Sequence, residues 1–143
     1  QIRSELPFDA LDDAAPPKIG CVTVVSPDID ALAASLGACY DMQFHPFDPV
    51  GFGKRGLSGT HRVRLIEGPS PLLDGIASAL VSVDIMHPDV EAARAKLEAA
   101  GYPVRHSRAL ASGGNAYFFG PTEQGFPLSI YPVEADAEML GLA

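Results

Sequence analysis

An internal repeat constrains the fold of this chain more than any other feature. The run Cys21–Leu32 aligns with Ser82–Ala93, which lies 61 positions further along. The identities include the Pro-Asp pair in the middle of each run, and the alignment continues without a gap to Ala38 and Ala99. Self-similarity at a fixed spacing indicates a repeated structural unit. The sequence therefore predicts two copies of one supersecondary unit.

Each copy begins in the same way. Runs rich in Val and Ile, Ile19–Val25 and Leu80–Met86, predict a β-strand, because β-branched side chains suit a pleated surface. Asp28 and Asp89 follow, and an aspartate before an apolar run is a typical helix N-cap. Apolar residues at helical spacing after each aspartate predict a helix, which Gly101 ends in the second copy.

Three short strands are predicted after each helix. In the second copy they cover 104–109, 116–119 and 127–131, and in the first copy 43–48, a weak run near 52–57, and 61–67. Glycines leave the weak run open as either a strand or a loop. The pattern predicts an α+β fold, in which two βαβββ modules form a cupped mixed sheet with helices outside.

This interpretation gives one domain, 18–132, with modules 18–68 and 78–132 and a linker at 69–77. An N-terminal arm, 1–17, and a C-terminal tail, 133–143, are additions. For the tail, a short helix that packs Met139 and Leu142 downward is one option.

Composition limits the function classes. The formal net charge of −8 disfavours nucleic-acid binding, which needs a basic face. Cys21 and Cys39 are widely spaced and form no zinc or disulfide framework. No apolar run reaches the roughly 18 residues that span a bilayer, so no membrane association is expected. Residues 1–17 lack the apolar core of a signal peptide, and we expect a cytoplasmic location.

The strand–Pro-Asp–helix openings, the stretch Tyr117–Pro121 and the following Leu128–Pro132 resemble the vicinal oxygen chelate superfamily. This superfamily includes glyoxalase I, methylmalonyl-CoA epimerase, extradiol dioxygenases and bleomycin-resistance proteins. The resemblance covers residues 18–132. It implies the glyoxalase/bleomycin-resistance fold, a small-molecule ligand in the cup between the modules, and a homodimer.

In metal-dependent members of that superfamily, the first and last strands of each module carry the metal ligands. The matching positions here hold Cys21, Arg64, Ser82 and Ser129. Serine is a weak ligand, and a protonated arginine repels a cation. The resemblance therefore implies a family member without a catalytic metal, and we expect no cofactor. A shifted register that turns Glu67 inward in place of Arg64 stays open.

Strand alternation within the family frame predicts which residues line the cup. Asp84 is the most unusual, because a half-buried carboxylate needs a partner. Asp84 either forms an ion pair with Arg64, lies at a solvated cavity wall, or acts as a general base beside an anion-holding Arg64. His106 is the second candidate base. The predicted ligand-binding residues are Cys21, Thr23, His45, Ser82, Tyr117, Ser129 and Tyr131.

Three functions agree with this interpretation. The first is a protein that binds a small organic molecule without a metal. The second is a metal-independent lyase or isomerase that acts on a carbonyl-containing metabolite, with Asp84 or His106 as base. The third is a non-catalytic accessory domain. Binding and catalysis predict an enclosed cavity, whereas a purely structural role predicts a filled one.

Overall fold

A computed structural model of the chain describes residues 17–49, 53–70, 78–120 and 127–142. Its strands form one mixed eight-stranded sheet with the order β2-β3-β4-β1-β5-β8-β7-β6. The first module contains β1 (Lys18–Ser26), α1 (Ile29–Tyr40), β2 (Phe44–Phe47), β3 (Gly56–Gly59) and β4 (Val63–Glu67). The second contains β5 (Ala79–His87), α2 (Val90–Ala99), β6 (Val104–Ala109), β7 (Asn115–Phe119) and β8 (Leu128–Pro132). The predicted pair of βαβββ modules is confirmed.

The two modules are related by approximate twofold symmetry. β1 and β5 pair antiparallel at the centre of the sheet, and each pairs in parallel with the last strand of its own module. The β1–β5 pairing skips one residue on each strand, Gly20 and Val81, and these two residues are also 61 positions apart. An extra residue at equivalent places strengthens the local twist of both central strands, which favours a cupped rather than a flat sheet.

Both predicted helix caps are present. Asp28 accepts a hydrogen bond from the backbone N–H of Ala31 at 2.9 Å, and Asp89 accepts one from Ala92 at 3.0 Å. α2 packs on the outer face of the sheet, where Val90 contacts the cluster of buried side chains around Phe119. None of the helices in the described part of the chain is long and apolar enough to cross a membrane.

The first module differs from the prediction in detail. The ambiguous stretch contains a strand, β3, although residues 50–52 lie outside the described residues. β4 begins at Val63 rather than at His61, because Arg62 adopts the left-handed region at φ 61 and so cannot extend the strand. Most of the predicted arm and linker, 1–16 and 71–77, also lies outside the described residues.

The C-terminal tail contains a 3-10 turn (Val133–Ala135) and a short helix, α3 (Asp136–Met139). Met139 is buried, as predicted, but the prediction for Leu142 is wrong, because that side chain is 64% exposed. Gly141, at φ 70, turns the chain after the helix, and Leu140 is the buried leucine of the tail instead of Leu142. The tail also contributes to the candidate site described below, because Met139 lines its cavity and contacts Arg64.

Candidate functional site

The floor of the cup holds a buried carboxylate, Asp84, on the central strand β5. Its Oδ2 accepts hydrogen bonds from the thiol of Cys21 at 3.1 Å and the hydroxyl of Thr23 at 2.7 Å. The same oxygen accepts one from Nη2 of Arg64 at 3.0 Å, which forms an ion pair between two almost fully buried side chains. Of the alternatives for Asp84, the structure contains the ion pair with Arg64.

The second carboxylate oxygen of Asp84 is also satisfied. Oδ1 accepts hydrogen bonds from the hydroxyl of Ser82 at 2.7 Å and from that of Ser129. Five side chains therefore donate hydrogen bonds to one carboxylate. Asp84 is consequently a poor general base, because neither oxygen is left free for a substrate.

Arg64 is held on several sides. Its Nη2 and Nε donate to the hydroxyl of Thr23 at 2.8 and 3.1 Å, and Nη1 donates to the carbonyl of Met139 in the tail at 3.0 Å. Its guanidinium carbon lies 5.8 Å from the ring centroid of Phe47. Burial is the largest single influence on the pKa of Arg64 and lowers it, but the carboxylate of Asp84, together with Cys21 and Tyr131, raises the pKa above its ordinary value. The cup floor therefore carries a permanent, internally paired cation.

The six residues of this cluster are three pairs related by the approximate twofold symmetry. In module one, Thr23 lies beside Arg64 on β4, and in module two, Asp84 lies beside Ser129 on β8. Across the β1–β5 boundary, Cys21 pairs with Asp84 and Thr23 with Ser82. The equivalent pairs are Cys21 with Ser82, Thr23 with Asp84, and Arg64 with Ser129. The cluster therefore lies at the symmetry axis, where the two modules meet.

These residues do not fit a catalytic metal. The positions that match the superfamily's metal ligands hold a buried thiol, a guanidinium and two hydroxyls. All four groups donate hydrogen bonds to Asp84. Burial raises the pKa of the Cys21 thiol, which disfavours the thiolate that binds metals. Within the described ranges, no three His, Cys, Asp or Glu side chains are grouped to hold an ion. Glu67 is no substitute, because it forms a salt bridge with Arg55 and Arg64 is the residue that faces the cup.

The space above the floor is small. A cavity of about 30 Å³ remains between the walls, which leaves room for roughly one or two water molecules. Phe47 and Arg108 border both this cavity and a wider, open groove of about 550 Å³ beside the tail. The described residues that line the cavity are Thr23, Phe47, Pro49, Arg64, Ile66, Val81, Ser82, Asp84, Arg108, Ala116, Tyr117, Phe118, Ser129 and Met139.

Several predicted site residues border this cavity and others do not. Arg64, Asp84, Thr23, Ser82 and Ser129 form its polar floor. Tyr117 also borders it, but its hydroxyl donates to Glu91 of α2 at 2.6 Å and Arg94 lies over its ring. The side chain of Tyr117 is therefore engaged by the outer helix.

The remaining predicted residues are outside the cavity lining. Cys21 lies below the floor, and Tyr131 is fully buried with its hydroxyl donating to Asp136 at 2.7 Å. Nε2 of His45 lies 3.1 Å from the carbonyl oxygen of Leu140 in the tail. His106 is half-buried on β6, in register with the cavity residue Phe118.

The sequence prediction missed Arg108, Phe47 and the tail. Arg108 follows His106 by two positions on β6, so alternation was a usable signal for it. Phe47 is not among the predicted ligand-binding residues, although it borders the cavity. Met139 and Glu138 lie beyond residue 132, where the family frame ends, and no periodic pattern relates them to the cup.

Comparisons with known proteins support the fold. No protein-family model and no curated protein matches the chain. Among solved structures, a variant of the methylmalonyl-CoA epimerase of Streptomyces coelicolor, in complex with 2-nitronate-propionyl-CoA, is 16% identical with a TM-score of 0.64. That match covers 81% of this chain and 96% of the epimerase.

Two further structures agree. The methylmalonyl-CoA epimerase of Mycobacterium tuberculosis is 14% identical with a TM-score of 0.60, over 78% of this chain and 85% of that one. A hypothetical protein from Bacillus halodurans is 12% identical with a TM-score of 0.67, over 81% and 94% of the two chains. The chain therefore has the vicinal oxygen chelate fold that the resemblance implies.

Proposed function

We propose that this vicinal oxygen chelate domain binds a small organic molecule between its two modules and does so without a catalytic metal. The arrangement around Asp84 supports the metal-free part of the proposal, and the apolar cavity with its adjoining groove supports the binding part. Three of the positions that hold metal ligands in the metal-dependent members of the superfamily donate their hydrogen bonds to the carboxylate of Asp84. They are Cys21, Ser82 and Ser129. Arg64 supplies the positive charge that the carboxylate needs.

A cation bound at this place would meet repulsion rather than ligands. The guanidinium of Arg64 is buried against Asp84, and its raised pKa keeps it charged at any physiological pH. A divalent ion would have to displace this internal cation and break the hydrogen bonds of Asp84. Replacing paired buried charges in that way is costly, because each separated charge loses its compensation.

The surroundings favour an organic ligand with an apolar part. The cavity walls above the ion pair are formed by Phe47, Ile66, Val81, Ala116 and Phe118. The adjoining groove has a volume within the usual range for small-molecule sites. Apolar walls with a few fixed polar groups are the common composition of such sites.

Binding is tested by ligand-observed NMR with short-chain carboxylates, aromatic acids and acyl thioesters of coenzyme A. Ala116→Leu adds volume to a buried wall residue of the cavity, and we expect it to abolish the binding that the wild type shows. Ala95→Leu, on the exposed side of α2, is the matched control and should bind as the wild type does. Equal binding by Ala116→Leu, or no binding of any compound to the wild type, would overturn the proposal.

The metal-free part of the proposal has its own test. Protein purified without chelator is analysed for metals, and its thermal unfolding is compared with and without added chelator. We expect no stoichiometric divalent ion and the same unfolding temperature in both samples. A bound ion that is lost in the Ser82→Ala, Ser129→Ala double variant would contradict it.

A metal-independent isomerase is the second candidate function. Two observations favour it. The chain shares its fold with the epimerases named above, and His106 lies in register with the cavity residue Phe118. Because both carboxylate oxygens of Asp84 accept hydrogen bonds from side chains, His106 is the candidate general base for this reaction. Deuterium incorporation from D₂O next to the carbonyl of propionyl-CoA tests this. We expect His106→Gln to abolish the incorporation and His61→Gln, at an exposed turn, to retain it, whereas no incorporation by the wild type removes the candidate.

A further inference from the structure

The C-terminal tail, residues 133–142, closes the mouth of the cup by contacts with both modules. On the first module, Arg64 donates to the carbonyl of Met139 at 3.0 Å, and the ring of His45 lies 3.1 Å from the carbonyl of Leu140. On the second module, the turn between β6 and β7 holds Glu138. Ten residues thus bridge the two walls of the cup in the place where a ligand would enter.

Glu138 occupies a complete carboxylate site. Its Oε1 accepts a hydrogen bond from the backbone N–H of Ala111 at 3.0 Å. Its Oε2 accepts from the backbone N–H and the hydroxyl of Ser112, both at 3.1 Å, and Arg108 lies 3.6 Å from Oε1. Successive backbone N–H groups in a turn form an anion-binding concavity. These hydrogen bonds, with that from Ala111 foremost, lower the pKa of Glu138.

Met139 continues from this carboxylate into the cavity. Its side chain borders the cavity and is buried among Leu110, Ala116 and Tyr131. Its carbonyl oxygen accepts a hydrogen bond from Nη1 of Arg64. In chemical terms, Glu138 and Met139 together present a carboxylate, an unbranched apolar chain and a carbonyl oxygen. Each of the three is matched by a group of the cup: the Ala111–Ser112 turn, the apolar wall and Arg64.

From these contacts we infer that the Glu138–Met139 segment is an internal surrogate ligand, and that the site takes a small carboxylate that also carries a carbonyl group and displaces the tail. This inference rests on the proposed binding function and adds the ligand class to it. The open groove along Arg108 and Ala111 gives the incoming carboxylate a path to the turn while the tail is still docked.

The test uses the full chain with Glu138→Gln and levulinate, a small keto acid, as the probe. The amide of the variant places a donor against the N–H groups of Ala111 and Ser112, so the tail competes less well for the turn. Because an occluded site lowers apparent affinity by the fraction of molecules that are open, we expect levulinate to bind about tenfold more tightly to the variant. Glu98→Gln, at an exposed glutamate of α2 that borders neither the cavity nor the groove, is the matched control and should bind as the wild type does.

Two analogues of levulinate test which of its functional groups the site recognises. Levulinamide lacks the carboxylate and pentanoate lacks the ketone, so both should bind more weakly than levulinate to Glu138→Gln. Backbone amide resonances of Ala111 and Ser112 should shift in the variant and return toward their original positions when levulinate is added. Equal affinity of levulinate for wild type and variant, with unshifted amides, overturns the surrogate role but leaves the proposed function intact. Failure of every compound in the wider set to bind either protein overturns both.

A second variant releases the tail without changing its carboxylate. A Cβ added at Gly141 would lie 2.4 Å from Cβ of Phe47, and the residue has φ 70. Gly101→Ala is the matched control, since Gly101 has φ 91 but open space around it. We expect Gly141→Ala to tighten levulinate binding as Glu138→Gln does and Gly101→Ala to leave it unchanged. The same affinity in both glycine variants contradicts the inference.

Discussion

Removal of the buried cation from the cup floor should be strongly destabilising. In Arg64→Met, Asp84 remains fully buried but loses its only charged donor within the described cluster, while its four neutral donors stay in place. Breaking a buried ion pair from one side costs about 3–5 kcal/mol, because an uncompensated charge is left behind. For a chain of this length, that loss corresponds to a decrease of roughly 10–20 °C in the unfolding temperature.

The double variant shows whether the loss comes from the pair itself. In Arg64→Met, Asp84→Asn, both charges are removed while the amide can still form hydrogen bonds with the surrounding hydroxyl groups. Removal of both charges of a buried pair costs less than removal of one, because no uncompensated charge is left behind. We therefore expect the double variant to be more stable than Arg64→Met alone. The non-additivity of the cycle gives the coupling between the two residues.

Urea unfolding followed by circular dichroism measures all four proteins of the cycle. Arg55→Met is the control, because Arg55 forms a solvent-exposed ion pair with Asp30 and such pairs contribute little. A loss for Arg64→Met no larger than that for Arg55→Met would refute the reasoning. Strictly additive effects in the cycle would also refute it, since they would mean that the buried charges do not depend on each other.

Three further predictions concern the fold and the tail. Gly20→Ala should lower the free energy of unfolding in urea by about 1–3 kcal/mol, because the added Cβ would lie 1.9 Å from the hydroxyl oxygen of Tyr131, and an unchanged value would contradict this close approach. Asp28→Ala and Asp89→Ala should each cost about 1 kcal/mol in the same assay, since each removes one N-cap bond, and a loss in only one of them would argue against equivalent modules. The pKa of Glu138 is lowered in the folded state, so its contribution to tail docking is present above its ordinary value of 4.5 and is lost as the pH falls through the folded value. Hydrogen exchange of the tail amides, corrected for intrinsic pH dependence, should therefore lose protection only below about pH 4.5, and protection that persists at lower pH would contradict the role of this carboxylate.

The fold was predictable from the sequence because its signals are local and occur twice. Asp28 and Asp89 cap helices in both copies, and each follows a strand of the same length and burial pattern. Two agreeing copies remove the usual ambiguity between a short strand and a loop. The exception was the stretch around β3, where Gly56 and Gly59 carry no side-chain periodicity that indicates a strand.

The candidate site was predictable only where strand alternation applies. Arg64 and Asp84 were placed on the cup floor because the family resemblance gives the frame and strand alternation within it gives their faces. The pairing of their charges was left open, since it depends on which strands meet across the sheet. Burial of Met139 was predicted, but its position at the cup and the role of Glu138 were not. A short terminal segment can dock on many surfaces, and its contacts with Ala111 and Arg64 connect distant parts of the chain.

The symmetry of the modules explains why the cup floor is held by one cation and one anion. At a twofold axis, equivalent positions lie close together, and two identical charges there would repel each other without an added counter-ion. This chain has different residues at equivalent positions: Thr23 opposes Asp84, and Ser129 opposes Arg64. One negative and one positive side chain remain, from different modules, and they neutralise each other at 3.0 Å.

An internal counter-ion also changes where ligand chemistry takes place. Because Asp84 and Arg64 satisfy each other, the floor of the cup joins β4 of one module to β5 of the other without offering a free carboxylate to a substrate. The donors that face the groove instead are those around Arg108 and the turn at Ala111, which now hold the carboxylate of Glu138. The recognition of an anionic ligand should therefore depend on the second module's rim, while the ion pair at the axis keeps the two modules together.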